Sequence, residues 1–153
     1  MKLSANPTMV DLSVQSMNRL RRDDYNGLLI VSKIRRAIRY EIDSTLIARL
    51  IKIEFDLHLD AHFTEEETCL FTRLPHNDAL RKQAQRQHDH LKYLAWLCSS
   101  EKAIPASVAE EFANKLEEHI RFEERTFFPY LRDFSTQQYA KSKSPAHRDF
   151  TIN

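Results

Sequence analysis

Two ten-residue stretches of this chain align on each other without gaps: HFTEEETCLF at 62–71 and HIRFEERTFF at 119–128. Each sets a histidine four residues ahead of a glutamate, His62 before Glu66 and His119 before Glu123. Four residues is one helical turn, so the imidazole and carboxylate of each pair stack on one face and reach a common ion. The flanks assign that face to the interior. Val108, Phe112 and Leu116 recur at helical spacing, and His119 and Glu123 continue the series. Phe55, His58, His62, Glu66 and Leu70 form a second stripe, apolar at its ends and polar in its middle. A buried carboxylate is costly alone, so it turns to water, pairs with a cation or binds a metal. One such pair is commonplace on a solvated helix. Two, with matching flanks on apolar stripes, indicate a metal site.

A third segment adds His88, which lies between Ala84 and Leu91 near an apolar face. His58, one turn before His62, is a further candidate, either as ligand or at the rim. His90 faces away from His88, and His76 and His147 fall in a loop and a tail. Glu65, Glu67 and Glu124 read as surface charges or as acceptors around the ligands. Imidazole with carboxylate suits iron, manganese or zinc, and two carboxylates can bridge two ions. Helical bundles that aim Glu and His inward from several helices hold iron or manganese in this way.

The elements that must position these side chains are helices. The chain has a single glycine, Gly27, and five prolines near expected helix ends or in tails, which argues against a turn-rich β fold. The periodicity predicts helices over about 17–40, 45–73 and 78–98, and from Pro105 to about 133, joined by short links. Asp43 or Ser44 would cap the second helix and Asn77 or Asp78 the third; Pro75 ends the second and Pro105 suits the first turn of the fourth. The expected architecture is all-α, an up-down-up-down four-helix bundle over 17–135, with a flexible arm at 1–16 and a flexible tail at 136–153 that docks at most through Tyr139 and Phe150.

A net charge of +1 gives no broad field for nucleic acid or an acidic membrane. No apolar run approaches the roughly 20 residues of a membrane span, and the start MKLSANPTMV lacks a signal-peptide core. Cys69 and Cys98 fall inside helical patterns and read as small core residues, which suits a reducing cytoplasm. No phosphate-binding glycine loop or nucleophile–base pair is evident, so a binding or sensing role is expected ahead of a dedicated enzyme.

The segments HLDAHFTEEETCLF, RQHDHLKYL and HIRFEERTFFPYL, with GLLIVSKIRRAI in the first helix, resemble the hemerythrin-like (HHE cation-binding) family over about residues 20–133. The resemblance implies a bundle around a non-haem di-iron centre. It implies His62, His88 and His119 as terminal ligands, with Glu66 and Glu123 bridging. It also implies a small ligand, dioxygen, nitric oxide or peroxide, or a role in sensing oxygen or iron; a monomer or a homodimer is expected. One departure stands out. The family brings a histidine just before the GLL stretch, and this chain reads DDYNGLL. Aligning Tyr25-Asn-Gly-Leu28 on His88-Asp-His-Leu91 puts Tyr25 at that position, with Asp24 beside it. Either can bind iron, so two ions stay open, as does a site reduced to one ion or to a structural metal in a regulatory module. Manganese and zinc are the alternatives to iron.

Overall fold

A computed structural model describes residues 8–100 and 103–143. Six α-helices are joined into four rods: α1 (Thr8–Arg39), α2 (Ser44–Glu54), α3 (Asp60–Cys69), α4 (Ala79–Cys98), α5 (Ala106–Phe122) and α6 (Phe128–Lys143). A π-helical turn, Phe55–Leu59, fuses α2 to α3, and a second, Glu123–Phe127, fuses α5 to α6. The described residues contain no strand, and the rods form a four-helix bundle. None of these helices is long and apolar enough to cross a membrane.

The expected caps are present. The Asp43 side chain accepts from the Thr45 amide at 2.9 Å, and Asp78 accepts from Arg81 at 2.8 Å. These bonds satisfy donors that the first turn of a helix leaves free. The Asp78 carboxylate also accepts from the Tyr130 hydroxyl at 2.6 Å, tying the start of α4 to α6. Pro105 precedes α5 directly. The described helices reach further than the sequence pattern suggests. α1 is helical from Thr8, inside the expected arm, and α6 runs to Lys143, inside the expected tail. No glycine or proline interrupts the chain between Tyr130 and Lys143, so a helix started by buried Phe128 and Leu131 continues on propensity. Tyr139 is exposed rather than docked, and Phe150 lies outside the described residues.

Two apolar clusters fill the bundle, one at each end. The larger gathers Ile30, Val31, Ile34, Ile51, Phe63, Leu91, Phe112, Leu116 and Ile120 among others. The smaller gathers Leu20, Leu70, Phe71, Leu74, Ala84, Phe127, Phe128 and Leu131. Each rod passes from one cluster to the other, and at the crossing it carries a buried polar residue: Asp24, Glu66, His88 or Glu123. Cys98 joins the larger core, whereas Cys69 is exposed at the end of α3, where the helix tightens into a 3₁₀ turn. α1 and α5 approach closely at the polar level. A β-carbon added to Gly27 would lie 2.7 Å from Ile120 Cδ1. A larger residue there would make the Ile120 side chain shift, so glycine serves close approach, not an unusual backbone angle.

Phe112 is completely buried in the larger core, away from the polar layer. Phe112→Ala should cost about 3–5 kcal/mol of stability. Urea unfolding of the metal-free protein checks this, and a loss under 1 kcal/mol would contradict the packing described.

Candidate metal centre

The polar layer is buried and crowded with acids. Asp24, Glu66, His88, His119 and Glu123 are each at most 1% exposed, and His62 is 7% exposed. Two groups of four side chains converge within it. One comprises Glu66, His88, His119 and Glu123; the other comprises Asp24, His62, Glu66 and Glu123. In each group the ligand atoms lie within 4.8 Å of one another. Glu66 and Glu123 belong to both.

Sequence-local geometry accounts for the repeated pairs. His62 Nε2 lies 3.1 Å from Glu66 Oε1, and His119 Nε2 lies 2.9 Å from Glu123 Oε1, as helical neighbours one turn apart should. Packing of the rods adds the rest. His88 Nε2 from α4 is 3.1 Å from Glu66 Oε2, and Asp24 Oδ1 from α1 is 3.4 Å from His62 Nε2. Donor atoms adjacent on one ion, bound at about 2.1 Å and a right angle, sit about 3.0 Å apart. The spacing fits.

The orphaned atoms point the same way. Both oxygens of Asp24, Glu66 and Glu123 are buried without a hydrogen-bond partner, although nitrogens stand nearby at the distances above. His88 Nε2 and His119 Nε2 face each other at 3.1 Å. Each ring has its other nitrogen on an oxygen acceptor: His88 Nδ1 donates to Glu67 Oε1 at 2.8 Å, and His119 Nδ1 donates to Gln87 Oε1 at 2.8 Å. When both rings are neutral with their protons on Nδ1, the two Nε2 lone pairs oppose each other across the layer. A cation held by both rings would turn that repulsion into coordination. Outer acceptors of this kind fix the tautomer and orientation of metal-binding imidazoles.

Burial lifts Asp24 to about 6, against the pull of His62. Burial and the neighbouring charges of Glu66 and Asp24 raise Glu123 well above the carboxylate range. Burial also pushes Glu66 upward, but His62 and His88 outweigh it and hold Glu66 at about 2. Burial depresses His62, yet Asp24 and Glu66 overcome this and raise it to about 10. Burial and His88 drive His119 down to about 3, leaving it a neutral donor. Three carboxylates compete for too few protons here.

A match to the family model for the hemerythrin HHE cation-binding domain spans residues 26–131. The chain belongs to this family. No curated protein and no solved structure gives a significant match. As a hemerythrin-like domain it is a cation-binding bundle, and the polar layer supplies a His/Glu set able to hold metal.

Five of the residues singled out in the sequence meet in that layer: His62, Glu66, His88, His119 and Glu123. Asp24 joins them; Tyr25 does not. Tyr25 is 64% exposed, because successive helical residues point about 100° apart and α1 turns Leu20, Asp24, Gly27, Val31 and Ile34 inward. The pattern matches Ala84, His88, Leu91, Ala95 and Cys98 of α4, so Asp24, not Tyr25, corresponds to His88. His58 is also absent from the layer. The π turn at Phe55–Leu59 inserts an extra residue, so Phe55 and Leu59 point inward and His58 turns out, with Nε2 3.7 Å from Glu54 Oε2. His90 pairs with Glu111 on the surface at 2.9 Å. Glu67 proves to be an acceptor for His88 and also takes a bond from Lys92 at 2.7 Å. The sequence pattern carries no signal for Gln87, which only the approach of α4 to α5 brings against His119.

His119→Ala or Glu123→Ala should abolish tight metal binding, whereas His90→Ala and Tyr25→Phe should leave it intact; metal content after desalting reads this directly. Glu123→Gln should also raise the thermal midpoint of the metal-free protein at pH 7. A carboxyl whose folded pKa is raised contributes stability below its unfolded value, about 4.3, and loses it as pH rises toward the folded value. The gain should shrink as pH falls toward 4, and a lowered midpoint at pH 7 would refute the crowding argument.

Proposed function

We propose that the chain is a non-haem iron protein holding a pair of irons, and that it binds or senses a small ligand of the dioxygen, nitric oxide or peroxide class. One observation carries the reading: two four-residue donor groups share both glutamates, and all four glutamate oxygens lack a hydrogen-bond partner. His88 and His119 would hold one ion, Asp24 and His62 the other, and Glu66 and Glu123 would contact both. Three carboxylates largely offset the charge of two divalent ions. Iron held there would supply reversible redox chemistry and affinity for diatomics or peroxide.

The surrounding side chains wall the layer and limit what enters. Phe63 stacks on the His88 ring, centroids 4.1 Å apart, and is itself edge-on to His119. Phe71 also tilts against His88, centroids 5.0 Å apart, and Phe127 packs on Phe71. Phe55 and Leu91 complete the apolar wall. A cavity of about 10 Å³ lies beside the layer, lined by Gly27, His62, Leu116, His119 and Ile120 among others. That is room for about one water-sized guest. A site this small favours a diatomic or peroxide over a metabolite. Nothing in it resembles a hydrolytic constellation, so binding or sensing leads over catalysis.

A regulatory module with one structural metal is the second reading. Its support is Asp24, which stands where the family resemblance expects histidine. Anaerobic ferrous loading, desalting and a visible spectrum on admitting air separate the two. Two irons per chain and a new visible band are expected; one iron or none, without a band, would make the regulatory reading the better one.

A further inference from the structure

The two donor groups differ in three ways. The first has two imidazoles, His88 and His119, beside the shared glutamates; the second has one, His62, with Asp24 as an added carboxylate. Nitrogen-rich sets hold iron more firmly, while carboxylate-rich sets suit harder ions such as manganese. The outer bonds differ as well. His88 and His119 are anchored through Nδ1 by Glu67 and Gln87, and Glu67 is itself held by Lys92. His62 Nδ1 is buried without a hydrogen-bond partner, and its nearest acid, Asp23 Oδ2, stands 3.4 Å away. Loss of such outer bonds commonly lowers metal affinity 10–100-fold. Access differs too. A cleft of about 180 Å³ between α1 and α3, lined by Asp23, His58 and Glu65, reaches His62. The His88 and His119 rings are at most 1% exposed against 7% for His62, and Phe63 packs on both.

We infer that the centre holds its ions unequally: a firmly kept ion at His88 and His119, and an exchangeable one at Asp24 and His62 that communicates with solvent through the Asp23–His58 cleft. The inference rests on the two-ion reading above and adds which position responds to the metal supply. The exchangeable position accepts manganese as well as ferrous iron. The chain therefore passes between a one-metal and a two-metal state as available metal changes, with Glu66 and Glu123 common to both.

The test loads the protein anaerobically with ferrous iron and follows its removal by excess ferrous chelator. Two phases of one iron each are expected, differing 10–100-fold in rate. Asp24→His should slow the fast phase, and Gln87→Ala should quicken the slow one by removing the His119 anchor, with circular dichroism confirming that both variants fold. Manganese supplied with iron should replace the fast-phase ion alone. A single phase carrying both irons, manganese replacing both equally, or a fast phase unmoved by Asp24→His would each overturn the inequality. One iron per chain would overturn the exchangeable position yet leave a metal-binding bundle, and no iron at all would remove the two-ion reading itself.

Discussion

Three carboxylates forced together in a buried layer form the constraint on which this structure turns. Asp24, Glu66 and Glu123 come from three different rods and meet without hydrogen-bond donors of their own. Charge buried this way costs far more than any nearby surface ion pair returns. Apolar packing at both ends holds the rods in place, so the carboxylates cannot separate to relieve the repulsion. Such an arrangement stores a demand for positive charge, and metal binding to it is coupled to the stability of the whole bundle.

The helices give up regularity to serve that layer. Both π turns fall on the rods that carry a His–Glu pair, one just before His62 and one starting at Glu123. Each inserts a residue into the ladder and re-aims the helix beyond it, a device common at functional sites. The turn at Glu123 also lets Pro129 sit as the second residue of α6, where the regular ladder is already interrupted and a missing amide costs less. Gly27 makes the corresponding concession on α1, trading a side chain for contact with Ile120.

Order within the layer comes from its surroundings. Glu67 and Gln87 set the tautomers of His88 and His119, and Phe63 locks the His88 ring by stacking. His62 has no such support and looks toward a cleft. The duplicated motif suggests two equivalent halves, but the partners acquired by each half are not equivalent. The asymmetry of the layer therefore originates outside the repeated residues.

Much of the centre was legible in the chain itself. Helical periodicity and the duplicated spacing of His62–Glu66 and His119–Glu123 specify a face, and a face with acids and imidazoles among phenylalanines specifies metal chemistry. Local rules suffice because both members of each pair ride on one helix. Asp24 and Tyr25 are neighbours that periodicity alone does not rank. The packing of Leu20, Gly27 and Val31 against the other rods chose Asp24, since a helix can bury only one side of that dipeptide. His58 fits the regular spacing and was turned out by a π turn that no local pattern announces. Sequence by itself determined which residue types line each helix, because that follows from a fixed rise and rotation per residue. Tertiary structure decided which of them meet, because rotation of one rod against another is set by side chains distant in the chain.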